Sequence, residues 1–596
     1  MIKPVAESDQ PDRPDRGSPA WMGRLLVLLL VALTPAPASA VPGPDSTAVV
    51  ANGDDPESTS LARAYASARQ IPDRQVCLVR GVPNDGLIGI DQYLAIEEQI
   101  ERCLSGGGVL PRIEAIVLAR GIPRMVEVIA GPHASRVSFA AALAVWKSVW
   151  REDGTRLLGK PPGTCIDPGC TPAPRWPNPF RKGVFEPGWS IRSKDGAVLW
   201  RPLLVTVLDG YSSADAARLF DSALRAERIG GARGSFVFMN GADPARQALD
   251  GEYDRVVAGL RARGYNDVAR VPFAPDRTGL TIAAFFTGTS ALGQTIEGNT
   301  FAPGALVDNL TSCGATPLNF KTPDPKNPRS ECQVSIARWV ARGVAGAHGT
   351  VAEPLTIAFP SRALILDYVD GSTLAEAFFR NMPYAYWRNT VLGDPMAAPY
   401  ARRPVVTFEG LEAGTRVFSA THRIKARAIN PAGGTIGALR LYVDGLEVAA
   451  ATDGRVEACV GIARSDGKAL HLLAVAQAAD DGSPSGKFRP KGWKGIRVRA
   501  IGTLPTAPCP PRIRETSTGV GAATLTWSAP ADGGSPIKAY RVTTSPGGAT
   551  VTVPGAATRA TVKGLTPGSA YRFEVTAVNA IASSTPSMPS EKVIPR

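Results

Sequence analysis

Cys313 ends the apolar run GALVDNLTSC, and His348, followed by Gly349, ends the run VAGAHG. A thiol and an imidazole at the tips of neighbouring strands are the residue types of a cysteine nucleophile with its general base, because the imidazole takes the thiol proton and leaves the reactive thiolate. Glu353 or Asp308 would orient that ring. A second chemistry needs only carboxylates: Asp209 in VLDG, Glu353 and Asp394 in LGDP could share acid and base work if they converge, and their separation decides it. Each residue also has a structural use. Asp in these places caps helices and turns, and a Cys313 paired with Cys332 is no resting nucleophile, leaving His348 as a hydrogen-bonded residue at a strand end. Asp54 and Asp55 fit a helix start as well as a ligand site at a sheet's carboxyl edge. Trp339 and Trp387 read as core.

Other chemistries are missing from the sequence. The four histidines, at 133, 348, 422 and 471, never take the close spacing of H-E-x-x-H, and no phosphate loop, dinucleotide fingerprint or G-x-S-x-G elbow occurs. No metal or cofactor is therefore expected. With 596 residues, 44% hydrophobic and 20% charged, 61 Gly and 52 Pro, the chain is several loop-rich domains rather than disorder or coiled coil.

The run Leu25 to Leu33 is too short to span a bilayer, follows Arg24 and leads to Ala38-Ser39-Ala40, the pattern of a cleaved secretory signal within residues 1–40, with Met22 as an alternative start. The expected location is extracellular or periplasmic, with no membrane attachment after cleavage. Eight cysteines in an oxidising compartment suggest an order-of-chain pairing: Cys77 with Cys103, Cys165 with Cys170, Cys313 with Cys332, Cys459 with Cys509.

Residues 41–402 alternate strand-length apolar runs with amphipathic helices, the pattern of a mostly parallel sheet covered by helices, as one large unit or two fused halves. Residues 403–505 carry short alternating strands with Asp444-Gly445 as a two-residue hairpin turn, an Ig-like sandwich. Residues 506–596 contain ATLTWSAP, KAYRVTTSP and ATVKGLTPGSAYRFEVTAV. That series resembles the fibronectin type III pattern, which places Trp527, Tyr540, Leu565 and Tyr571 in its core.

Nearly all of the net charge of +13 falls after residue 400. Lys487, Arg489, Lys491, Lys494, Arg497 and Arg499 crowd around Trp493 without an acid among them. Arg497 and Arg499 share one side of a strand, a basic stripe suited to an acidic cell-envelope polymer or polysaccharide, or else a solvated face. Nucleic acid is a poor partner for an exported chain.

The segments AVVANGDDPESTSLARAYASARQIPDRQVC, IEAIVLARGIPRMV, VTVLDGYSSADAARLFDSAL, FAPGALVDNLTSCGA, IARWVARGVAGAHGTVAEP and AYWRNTVLGDPMAAPYA resemble a family of exported bacterial proteins without assigned activity. That family is similar, more distantly, to gingipain-type cysteine peptidases with a caspase-like α/β domain. The resemblance implies a caspase- or flavodoxin-like head, with a His at the end of one strand and a Cys at the end of the next. Cys313 occupies the second position. The first, in IAAFFTGTSALG, holds Thr287, Gly288, Thr289 and Ser290 and no histidine. A binding protein whose head has lost peptidase chemistry is the preferred expectation. An extracellular hydrolase, using Cys313 with His348 or the carboxylates, is the alternative.

Overall fold

The computed structural model describes residues 41–83, 86–129, 135–145, 176–178, 180, 191–192, 198–200, 202–324, 326, 331–462, 469–479 and 489–596. The proposed signal segment, the Cys165–Cys170 pair and Lys487 lie outside them. No helix among the described residues is long and apolar enough to cross a membrane.

Ten strands form one sheet: β1 Thr47–Asn52, β2 Val76–Val79, β3 Ala115–Ala119, β4 Leu204–Leu208, β5 Ser235–Met239, β6 Val268–Val271, β7 Thr281–Thr287, β8 Thr300–Asn309, β9 Gly346–Thr350 and β10 Asn389–Gly393. Their spatial order is β6-β5-β7-β8-β9-β10-β4-β3-β1-β2. The sheet is mixed and mostly parallel, as the alternation of strands and helices implies. β9 and β10 pair antiparallel, and β10 meets β4 at the single pair Val207 and Leu392. β4 and β8 end at one edge, where Arg124, paired with Asp209 after β4, also covers the ring of Phe320 in the loop after β8. β1, β3, β4, β9 and β10 are buried along their whole length, as strands covered on both faces must be.

Helices supply both covers. α1 (Pro56–Arg69), α4 (Ser213–Ile229) and α6 (Ile336–Ala341) pack one face through Leu61, Tyr65, Leu219, Phe220 and Trp339. α2 (Ile90–Gly106), α3 (Phe139–Ala144), α5 (Tyr253–Ala262), α7 (Leu364–Val369) and α8 (Leu374–Asn381) cover the other. Asp55 caps α1 by accepting from Glu57 N (2.9 Å), with Pro56 in the first turn, and Asp54 accepts from Gly81 N (2.7 Å) and Arg80 (2.8 Å). The pair Asp54-Asp55 is thus spent on starting the helix and closing a loop.

The first sandwich has strands β11 Val405–Phe408, β12 Arg416–Ser419, β13 Thr421–Ile429, β14 Ile436–Val443, β15 Leu446–Ala451, β16 Arg455–Gly461, β17 Leu470–Ala478 and β18 Lys491–Leu504. Sheets β11-β13-β16 and β12-β18-β17-β14-β15 enclose one apolar core. Asp444 and Gly445 both take positive φ (47° and 79°), the conformation a two-residue hairpin requires. The second sandwich has β19 Arg512–Gly519, β20 Ala522–Ser528, β21 Ala539–Ser545, β22 Thr550–Pro554, β23 Arg559–Lys563 and β24 Arg572–Val578. Trp527, Tyr540 and Leu565 are buried in its core. Tyr571 is half-buried and packs against that core, while its hydroxyl accepts from Thr566 N (3.1 Å) and holds the corner of the strand. Ser584, Ser587 and Ser590 line the free edge of β24, each hydroxyl accepting a β24 N–H at 3.0 Å, so that edge carries no open pairing groups there.

Three disulfides form among the described residues: Cys77–Cys103, Cys313–Cys332 and Cys459–Cys509. The last joins β16 of the first sandwich to the segment entering β19 of the second.

The first sandwich docks on the head through alternate residues of β18. Lys491 Nζ, 7% exposed, lies 3.6 Å from Asp45 Oδ1 and 3.4 Å from Glu114 Oε2. Trp493 stacks under Arg403, with the guanidinium carbon 4.7 Å from the ring centre. Gly495 N donates to Gln70 Oε1 (2.6 Å), and Arg497 pairs with Asp73 (3.1 Å). One face of an open strand turns a side chain out every second residue, and here that face meets the head. The reading of Lys491 and Trp493 as surface-binding residues is therefore corrected. Lys491→Met strands Asp45 and Glu114 without their cation and is expected to cost about 3 kcal/mol, whereas Lys494→Met, at an exposed position, stays within about 0.5 kcal/mol. Denaturant midpoints check this, and equal midpoints for the two variants would contradict it.

Candidate functional site

Cys313 follows the end of β8 and is closed by its bond to Cys332, with Cα atoms 5.9 Å apart. Asn319 staples the closure: its Nδ2 donates to the carbonyls of Cys313 (2.9 Å) and Cys332 (2.8 Å), and its Oδ1 accepts from Cys332 N (2.7 Å). Gln333, at a left-handed φ of 52°, accepts from the Thr311 hydroxyl and from Ser312 N (3.0 Å). The loop that would present a thiol is a satisfied crosslink.

The strand before it, β7, ends at Thr287. A Cβ at Gly288 would stand 2.2 Å from the Arg246 carbonyl oxygen, so the chain around Arg246 fills the space a side chain would need. Thr289 N donates to Asn309 Oδ1 (2.8 Å), and Asn309 Nδ2 donates back to Thr289 O (3.0 Å). The tips of β7 and β8 are clamped to each other.

His348 lies on β9 in register with Asp308 of β8 and is 1% exposed. Nδ1 is 2.9 Å from Asp308 Oδ1, and Nε2 is 3.1 Å from the Asn389 side-chain amide oxygen. Arg362 completes the cluster by pairing with Asp308, and the Phe359 and Phe378 rings flank the imidazole. Burial pushes the imidazole down to about 4, against the Asn389 contact, so it is neutral near pH 7 and carries a single ring N–H between these two oxygens. Both ring nitrogens face polar groups inside the core, and neither is hydrogen-bonded to Cys313.

The carboxylates do not converge. Asp209 follows β4, Asp394 follows β10 and Glu353 follows β9, and each has different arginines beside it. Asp209, 1% exposed, pairs with Arg124, lies 3.7 Å from Arg120 Nε, and accepts from Gly210 N (2.8 Å). Burial pushes its carboxyl up despite both arginines. Arg124 in turn lies 4.0 Å over the Phe320 ring. Asp394 is fully buried, where it accepts from Tyr65 Oη (2.7 Å), Arg69 Nε (2.5 Å) and Met396 N (3.0 Å). Arg69 also binds Glu227 (2.6 Å), and Arg403 binds Glu227 from the other side (3.1 Å). Burial would raise the Glu227 carboxyl, but Arg69 and Arg403 prevail and hold it at about 2. Glu353 is exposed, with Arg388 as its charged neighbour. Trp339 and Trp387 are both buried. Among the described residues, no group of three or more His, Cys, Asp or Glu side chains could hold a metal ion.

Of the basic residues, Arg489 is half-buried, while Lys494, Arg497 and Arg499 are exposed. Arg416 was missed in the sequence. It stands directly across the parallel β12–β18 pair from Arg499. Phe418 (48% exposed) and Ile501 (39%) are on the same two strands. Its only sequence signal is an Arg beside an aromatic on a short strand, and pairing β12 with β18 was not readable.

The Fibronectin type III domain family matches residues 508–593. Among solved structures, the chain is similar to the twitchin kinase region from C. elegans at 32% identity (15% of this chain, 17% of that one, TM-score 0.14). It is similar to titin kinase with its flanking domains at 33% identity (15% and 17%, TM-score 0.13). A third similarity is to fibronectin(III)-like modules of Clostridium thermocellum CbhA at 18% identity (32% and 94%, TM-score 0.13). The chain thus spans about a sixth of the twitchin and titin kinase chains. The protein is modular and ends in a fibronectin type III sandwich.

A histidine whose folded pKa lies below its unfolded value binds its proton more readily when unfolded. Its contribution to stability is complete above pH 6.5 and is lost as pH falls toward 4. The loss expected is roughly 3 kcal/mol across that window. Chemical denaturation of His348→Gln between pH 7.5 and 4.5 should show a flatter pH dependence than the parent chain; parallel curves would show that His348 is not the group responsible.

Proposed function

We propose that this is a secreted modular binding protein in which a caspase-like head carries no thiol chemistry and the first sandwich engages an acidic envelope polymer or polysaccharide. The observation that carries the first half is the state of Cys313: its sulfur is bonded to Cys332, and the strand end before it, from Thr287 to Ser290, holds no histidine. Support for a caspase-like frame comes from the adjacent parallel strands β7 and β8, whose ends sit at the two positions such chemistry uses. Three disulfides and the expected signal segment favour export.

The polymer reading rests on Arg416 and Arg499. Two like charges directly opposite each other on paired strands repel. Neither has an ion-pair partner among the described residues, so an external anion relieves that repulsion, and exposed Phe418 and Ile501 offer an apolar surface alongside. Binding through such a patch weakens with salt.

Retention on immobilised polygalacturonate at low salt, elution as salt rises, and loss of retention in Arg416→Gln/Arg499→Gln are the expected results. Unchanged retention in that double variant would refute the patch. A thiol probe applied to native, unreduced protein should leave Cys313 unlabelled, whereas labelling together with peptide hydrolysis that Cys313→Ala abolishes would establish the hydrolase instead.

A further inference from the structure

Where the last turn of α1 meets β17 and β18, the head and the first sandwich leave a half-open cleft of about 210 Å³, bordered by Ser67, Gln70, His471, Gly495, Ile496 and Arg497. A water molecule takes roughly 30 Å³ of liquid, so the space admits one sugar-sized molecule. It exists because residue 495 has no side chain: a Cβ there would stand 3.1 Å from Gln70 Oε1 and 3.2 Å from His471 Nε2. Gln70 ends α1 in the left-handed region (φ 61°), a conformation usually left to glycine. A long side chain kept there reaches across to Gly495 N and leaves its amide N–H groups at the cleft.

His471 is 7% exposed, and its Nδ1 is buried without a hydrogen-bond partner. The ring nitrogen on the side of Gly495 is Nε2, so Nε2 is the atom that a molecule in the cleft meets. The charged groups facing it are Arg497 and, farther along, Asp73 and Asp444. Among the described residues Arg497 has Asp73 as its ion-pair partner, an exposed pair (51% and 81%) of the kind a ligand displaces at little cost. Ile71 and Ile496 supply an apolar wall.

We infer that this cleft is a subsite for a small carboxylate: Arg497 takes the carboxylate, and His471 and Gln70 hydrogen-bond the adjoining hydroxyls. The inference extends the polymer reading, since a uronate residue of an acidic polysaccharide has this chemistry, and so does a free sugar acid.

Isothermal titration of the whole chain with sodium glucuronate, with glucose as the uncharged control, tests it. Glucuronate should bind and glucose should not. Arg497→Gln, at an exposed position that does not endanger folding, should weaken glucuronate about tenfold or more, and Gly495→Ala, checked for an unchanged melting temperature, should block it. Absence of glucuronate binding, or binding equal in Arg497→Gln and the parent chain, overturns the inference even if polygalacturonate is still retained. Glucuronate binding that survives in Arg416→Gln/Arg499→Gln upholds the cleft, and loss of polymer retention in that variant would then assign it to a free sugar acid.

Discussion

The guanidinium of Arg69 is the constraint on which the assembly depends. It is 2% exposed and stands between Asp394 and Glu227, with Arg403 on the far side of Glu227 and the Tyr65 hydroxyl on Asp394. Two positive and two negative charges are thereby balanced out of water. Desolvating a charge is costly, so such a quartet is tolerable only when complete, and removing one member leaves a neighbour buried and unmatched. The four residues come from α1, α4, the turn after β10 and the chain entering the first sandwich. The head's last strand, two of its helices and the sandwich therefore share one electrostatic condition. This accounts for the Leu392-Gly393-Asp394-Pro395 segment without any catalytic role: Asp394 also accepts from Met396 N and sets the turn that leads out of the head.

Much of the framework was legible because it is written in local pattern. The strand and helix periods of the head, the Asp55-Pro56 start of α1, the Asp444-Gly445 hairpin and the fibronectin type III core all appear where residue spacing puts them. The reversal of β10 against β9 was not legible. Each strand obeys the same rule whichever way it runs, and the reversal is created by β10, which arrives from the end of the head and inserts between β9 and β4. The docking face of β18 was misread for a related reason. Lys491, Trp493, Gly495 and Arg497 look like a basic stripe until Asp45, Glu114, Arg403 and Gln70 come up against them. A strand face that mixes a lysine, a tryptophan and a glycine is an odd choice for water, and that mixture was the available signal. Two of the disulfides act locally; Cys459–Cys509 instead limits how far the two sandwiches can part, so the C-terminal half is a connected arm.

The strand ends of β7 and β8 are closed at several levels. A Cβ at Gly288 would stand within 2.2 Å of a backbone oxygen that cannot retreat like a side chain, because Ala242 N donates to Gly288 O (2.8 Å) and holds the two segments together. The thiol position is crosslinked and pinned by Asn319. The one histidine nearby, on β9, is turned to Asp308 and Asn389 inside a closed apolar shell. A side chain at 288 would require moving the Arg246 segment, which in turn holds Asp243 (2.6 Å) and reaches toward Gln333. The carboxyl edge of β7, β8 and β9 thus closes over the core by crosslink, side-chain clamp and backbone contact together, so a larger side chain there requires a shift of the chain itself and not only of a rotamer.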